Sequence, residues 1–236
     1  MAAARAPKRP FIFVLAGVNG AGKSSVGGSI LRAQGLAWFN PDSFARELMA
    51  RSGAARDIAD GDAWAYGKAQ LEAAIANGTS FAFETTLGGT TITRLLAEAA
   101  RTHDVMMIFC GLASLELHLA RVQLRVRAGG HDIPEAKIRE RWDSSRQNLI
   151  ALLPRLAHLQ VFDNSAEAAP GADVPFPLLV LEMKDGSVVH PRRDDLAALQ
   201  ATPDWAKPVV AAAFRCDEAK HGARDRAPAS GASRER

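Results

Sequence analysis

Six apolar residues, Phe11-Ile-Phe-Val-Leu-Ala16, run directly into Gly17-Val-Asn-Gly-Ala-Gly22-Lys23-Ser24. A short, unbroken apolar run rich in β-formers is what a strand buried on both faces requires. The eight residues after it match the spacing G-x-x-x-x-G-K-[ST]. Glycines at that spacing let the backbone curl so that successive N–H groups point inward, and the helix beginning at Lys23 adds its positive end. Such a loop cradles the phosphates of a nucleoside triphosphate. Lys23 brings a mobile charge to the β- and γ-phosphates, and Ser24 offers its hydroxyl to Mg²⁺. The expected nucleotide-binding set is Gly17, Val18, Asn19, Gly20, Ala21, Gly22, Lys23, Ser24 and Ser25, with ATP and Mg²⁺ as cofactors and Ser24 as the metal ligand.

Downstream, strand-like and helix-like segments alternate. Ala37-Trp-Phe-Asn40 reads as a second strand stopped by Pro41, Thr79–Phe83 as a third, Val105–Cys110 as a fourth and Leu159–Phe162 as a fifth. Helical stretches lie between them, one capped by Ser114, one opened by Pro134, and one ended by Asn77-Gly78. This order predicts an α/β fold with a five-stranded parallel sheet covered by helices on both faces. After an Ala/Pro/Gly linker at 166–174, two apolar runs flank Asp185-Gly186, a strong hairpin signal. The expected organisation is a disordered N-terminus over 1–10, a phosphate-loop core over 11–165, a hairpin and helix extension over 177–214, and a disordered basic tail over 215–236.

Charge distribution narrows the function classes. The overall +3 is carried by the two ends, each about +3, which leaves the body near −3. A folded nucleic-acid platform is therefore not expected. The chain has two cysteines, neither in a zinc spacing, and no apolar stretch near the ~20 residues that span a bilayer. The apolar run after the basic start leads into the glycine loop rather than a cleavage site. A cytoplasmic protein without nucleic-acid or membrane partners is expected. Cys110 is read as core, His103 and His118 as surface residues.

Two acidic positions face the loop. Asn40-Pro41-Asp42 follows the second expected strand, and Glu84-Thr85-Thr86 the third, at the carboxyl edge where open α/β sheets bind ligands. An acidic side chain there is costly unless it meets a metal, a hydroxyl or an arginine. Two such carboxylates suit a kinase, one orienting or deprotonating an acceptor and the other holding it or the metal. Asp42 could equally cap the helix at Ser43. Arg121 and Arg125 share a helix face ahead of Gly129-Gly130-His131, with Lys137, Arg139 and Arg141 beyond. Two arginine-bearing helices on a Gly-Gly hinge suit a lid, over about 121–141, that neutralises phosphate charge.

Taken together, these segments resemble the zeta-toxin-like P-loop kinases. The resemblance is carried by Val14–Ser25, Phe39–Asp42, Ser80–Leu87, Arg121–His131 and Val161–Ser165. It implies transfer of the ATP γ-phosphate to a hydroxyl of a small molecule, UDP-N-acetylglucosamine in the characterised toxins, and an antitoxin as a possible partner. It also implies Asp42 as general base, Glu84 with Thr85 and Asp42 at the acceptor, Lys23 and Ser24 at the phosphates, and favours Arg121 and Arg125 among the competing lid arginines. The alternatives are a kinase for another metabolite, a nucleoside or an antibiotic, or an ATP-binding switch with no acceptor.

Overall fold

The computed structural model describes residues 9–33, 35–167 and 175–225. Strand β1 (Phe11–Ala16) lies inside the sheet, parallel to β2 (Phe81–Thr85) on one side and to β3 (Asp104–Gly111) on the other. Alternation along β1 decides which helices pack where. Ile12, Val14 and Ala16 face the larger apolar layer, while Leu15 faces a smaller one with Ile108, Cys110 and Phe162. Helix α1 (Lys23–Ala33) covers the smaller layer through Val26 and Leu31. The larger layer is covered by α3 (Arg56–Asn77), α4 (Thr90–Ala99), α6 (Glu135–Leu152) and α8 (Lys207–Asp225), through Leu71, Leu96, Leu149 and Val209 among others.

The sheet has six strands rather than five, and it is mixed. Its order is β2-β1-β3-β4-β5-β6, with β4 (His158–Asp163) parallel to β3, and β5 (Leu178–Lys184) and β6 (Ser187–His190) antiparallel. Two physical facts account for the difference from expectation. The segment 37–40 forms only a single parallel bridge, Phe39 to Phe83, because Pro41 starts helix α2 (Pro41–Ser52) at once. Conversely, the hairpin is not an appendage, because its apolar strand β5 pairs with the free edge of β4. Asp185 (φ 48°) and Gly186 (φ 76°) make its turn, as a two-residue hairpin demands. Gly78 (φ 64°) closes α3, and Ser114 caps α5 (Leu115–Arg127) by accepting from the Leu117 N–H at 3.2 Å.

Further corrections concern the C-terminal region and two histidines. Helix α8 continues through Asp225, ten residues past the expected start of the tail, and Lys220 on it donates to the Asp185 carbonyl and to Ser187 Oγ. A short helix, α7 (Leu196–Gln200), precedes it. The rest of the expected tail, 226–236, and the expected N-terminal segment through residue 8 lie outside the described residues. His103 and His118 are buried, not superficial. His103 is accounted for by Thr102 Oγ1 at 2.8 Å and the Thr79 carbonyl at 3.2 Å. Cys110 is core, and burial pushes its thiol up to about 12.

Candidate active site

The carboxyl ends of β1 and β2 stop in register, Leu15 beside Glu84 and Ala16 beside Thr85, so the glycine loop and the Glu84 carboxylate leave the sheet together. The loop is pressed tightly against its neighbours. At Gly17 (φ 139°) a Cβ would lie 2.2 Å from the Cys110 carbonyl oxygen. At Gly22 (φ 82°) it would lie 2.3 Å from Asn164 Nδ2. Glycine at these two positions permits both the backbone conformation and the close approach.

Glu84 organises the site. It is only 9% exposed. Its Oε2 accepts from Ser24 Oγ and from Asn40 Nδ2, each at 2.9 Å, and its Oε1 lies 3.7 Å from Lys23 Nζ. Lys23 is 8% exposed and reaches the Val18 carbonyl at 3.5 Å. This buried carboxylate is thus satisfied by one cation and two neutral donors. The cap of α2 is Asn40, whose Oδ1 accepts from the Ser43 N–H at 3.1 Å. Asp42 therefore does not serve as the N-cap. With Pro41 in the first turn, the residue ahead of it is the natural cap, and that signal was available in the Asn-Pro-Asp order.

Asp42 stands in the first turn of α2, its side chain 46% exposed and its Oδ1 3.6 Å from both Arg56 Nη2 and His131 Nε2. Through His131 the loop between α5 and α6 rests on the base of α2. Arg125 braces that loop, donating to the His131 carbonyl at 3.1 Å. Burial lowers the His131 imidazole below its ordinary value, with Asp42 opposing the effect. Arg121 has its Cβ close to Gly20 on the loop side. Neither Arg121 nor Arg125 lines the cavity at the loop mouth, whereas Arg141 of α6 does. Arg141 Nη1 donates to Asn19 Oδ1 at 2.8 Å, and burial lowers its guanidinium from the ordinary value.

That cavity measures about 320 Å³. Its polar lining includes Lys23, Asn40, Asp42, Glu84, Thr85 and Arg141, and its apolar lining includes Phe39, Trp64 and Ile92. Thr85 Oγ1 also accepts from the Leu87 N–H at 3.0 Å. Asn19 is held from both sides, its carbonyl 2.8 Å from His118 Nδ1. Since burial pushes His118 down to about 4, the imidazole is neutral in the folded protein at ordinary pH. The unfolded chain takes up that proton near 6.5, so stability present above about pH 6.5 is lost as pH falls towards 4, by up to about 3 kcal/mol. Comparing unfolding free energies of wild type and His118→Gln across pH 4–7 checks this. The wild-type curve should fall more steeply, and parallel curves would contradict it.

The sequence model of the family described as AAA domain matches residues 12–149, more than half of the chain. The chain belongs to the AAA domain family. The match takes in the glycine loop, Asp42, Glu84, Arg121, Arg125 and Arg141 of this AAA domain, and stops before β4 and the C-terminal strands. No curated protein matches the sequence. Among solved structures, the complex of AvrRxo1-ORF1 with AvrRxo1-ORF2 and sulphate ions is similar at TM-score 0.57, with 16% identity over 84% of this chain and 64% of that one. The same pair with ATP gives TM-score 0.55 at 16% identity and the same coverage. The PezAT toxin-antitoxin system of Streptococcus pneumoniae gives TM-score 0.49 with 18% identity, over 69% of this chain and 70% of that one. The AAA domain chain thus spans less than two thirds of the length of the first two, and its likeness to them is one of fold.

Proposed function

We propose that this AAA domain protein is an ATP-dependent phosphotransferase that moves the γ-phosphate to a hydroxyl of a small molecule. One observation carries the reading. Lys23, Asp42, Glu84 and Arg141, from four separate elements, line a single cavity at the mouth of the phosphate loop. A nucleotide switch needs the loop and a metal ligand, but it has no use for a second carboxylate and an apolar-walled space beyond the phosphates.

The loop N–H groups and Lys23 hold the phosphates, and Lys23 follows charge onto the transferring group. Ser24 and Glu84 present oxygen donors close together, which fits a hard divalent cation. Among the described residues no group of three His, Cys, Asp or Glu could hold a metal unaided, so these two would share Mg²⁺ with the nucleotide's own oxygens. When bound there, Mg²⁺ supplies neutralisation of charge on the β- and γ-phosphates. Asp42 accepts the proton of the acceptor hydroxyl as the new P–O bond forms and the bond to the bridging oxygen of ADP breaks. Asn40, by capping α2 and binding Glu84, fixes the spacing of the two carboxylates.

Arg141 replaces Arg121 and Arg125 as the favoured lid arginine. It faces the cavity from α6, and among the described residues its one side-chain hydrogen bond goes to a neutral amide oxygen on the loop itself. Arg141→Ala should lower kcat at least tenfold while Arg125→Ala changes it less, because removal of one preorganised donor acts mainly on the transition state. Equal losses in the two variants would return the assignment to α5.

UDP-N-acetylglucosamine is the first acceptor to test, on the strength of the resemblance. The apolar faces of Phe39 and Trp64, with Lys68 and Lys137 on the same lining, suit a ring-bearing acceptor with anionic groups. A cytoplasmic setting supplies both ATP and such acceptors. An antitoxin that covers the loop mouth is the kind of partner protein the reading accommodates. The test is ATP turnover by the purified protein with UDP-N-acetylglucosamine, nucleosides and aminoglycoside or phenicol antibiotics in separate arms. A phosphorylated acceptor in one arm supports the proposal, and ATP hydrolysis with no phosphorylated product in any arm favours a switch.

A further inference from the structure

The AAA domain match ends before the last parallel strand, yet a residue from far beyond it is tied to the phosphate loop. Trp205, in the turn ahead of α8, is buried, and its indole N–H donates to Asp163 Oδ2 at 2.5 Å. Asp163 is the last residue of β4 and pairs in register with Gly111. Gly111 has no side chain where the indole sits, since a Cβ there would lie 2.3 Å from the Trp205 ring. Asp163 is a buried carboxylate whose hydrogen-bond donors among the described residues are all neutral. Three neutral donors satisfy it: the Trp205 indole, the Ser165 N–H at 3.0 Å and Ser165 Oγ at 3.0 Å.

The next residue reaches the loop. Asn164 N–H donates to the Gly111 carbonyl at 3.0 Å, and Asn164 Nδ2 donates to the Ala21 carbonyl at 3.0 Å. The same amide occupies the space beside Gly22 that any larger residue would need. Ser165 Oγ also accepts from the Ala113 N–H at 2.6 Å, tying the segment to the end of β3. The path therefore runs from an indole through a carboxylate to an amide that rests on the phosphate loop.

We infer that Trp205 and Asn164 are positioning residues for the phosphate loop, and that the C-terminal extension is part of the nucleotide site. A buried carboxylate with only neutral donors depends on their number and direction. Removal of the indole N–H leaves Asp163 Oδ2 with Ser165 alone and frees the Asp163–Asn164 turn to shift. The loop at Ala21-Gly22 then loses its brace, and N–H groups aimed at the phosphates lose their alignment.

The test is amide hydrogen exchange on the ligand-free, full-length protein, comparing wild type with Trp205→Phe, which keeps the ring and removes the donor. Exchange across residues 17–25 should rise severalfold while the α3 amides stay unchanged. Unaltered exchange in the loop, or a uniform rise across the molecule, would overturn the inference. Asn164→Ala keeps the question open to refutation if Trp205→Phe does not fold. It should raise exchange over the same residues, and an unchanged loop would be as damaging. The consequence for nucleotide rests on the loop being an ATP site, so ATP affinity is read separately. Both variants should bind ATP about fivefold or more weakly, with the double variant no worse than the poorer single one. If wild type itself bound no ATP, the proposed function would fail, while the exchange result would still decide the positioning role.

Discussion

Replacing Lys23 by methionine should abolish phosphotransfer and leave the AAA domain folded. Lys23 extends from the first turn of α1 into the cavity, and its polar partners among the described residues are the Glu84 carboxylate at 3.7 Å and the Val18 carbonyl at 3.5 Å. Its loss leaves Glu84 with two hydrogen-bond donors, Ser24 and Asn40, so the buried carboxylate is not orphaned. Methionine fills the space of the aliphatic stem. The transition state, by contrast, loses a charge aimed at the migrating phosphoryl group, and one preorganised donor of this kind is worth about 10²–10³ in rate or more. The measurement is kcat beside the melting temperature of the same sample. Undiminished turnover would remove the loop from the chemistry.

The second large effect is expected at Asp42. Asn40 carries the cap, so Asp42→Asn does not disturb the start of α2. The variant weakens the ion pair to Arg56 and the contact with His131, but at a half-exposed side chain such a pair is worth about 0–1 kcal/mol. Stability and ATP affinity should thus stay near wild type. The rate should fall by roughly 10²–10⁴, the contribution of a positioned general base. A variant that keeps its rate would pass the role to another carboxylate of the lining, Glu84, Asp60 or Asp132. Glu84 is already engaged by Ser24, Asn40 and Lys23, which makes it better suited to holding the loop and metal than to moving a proton.

The parts of this site legible in the sequence share one property, which is that local pattern alone determines them. The glycine loop, its flanking strand and helix, the Ser114 cap and the Asp185-Gly186 turn all follow from residues adjacent in the chain. The parts that were not legible depend on long-range partners. Segment 37–40 has the composition of a strand, but Pro41 begins a helix so soon that a single bridge forms. The hairpin after residue 177 was readable as a hairpin, but nothing local says that β5 would pair with β4. Arg121 and Arg125 share a face with helical spacing, yet the packing of α5 against the loop turns one towards His131 and sets the other beside Gly20. Arg141, one of several candidates along α6, gains its place by meeting Asn19, 122 residues away. Asn164 and Trp205 could not be assigned at all without the sheet that brings them to the loop.

The central claim is group transfer to a small-molecule hydroxyl, and one measurement reaches it directly. Wild-type protein is incubated with ATP, Mg²⁺ and a metabolite extract, with Lys23→Met in parallel, and new phosphorylated species are read by mass spectrometry. The account predicts at least one metabolite gaining a single phosphoryl group with wild type and none with Lys23→Met. ATP consumed to ADP and free phosphate with no phosphorylated metabolite would contradict it.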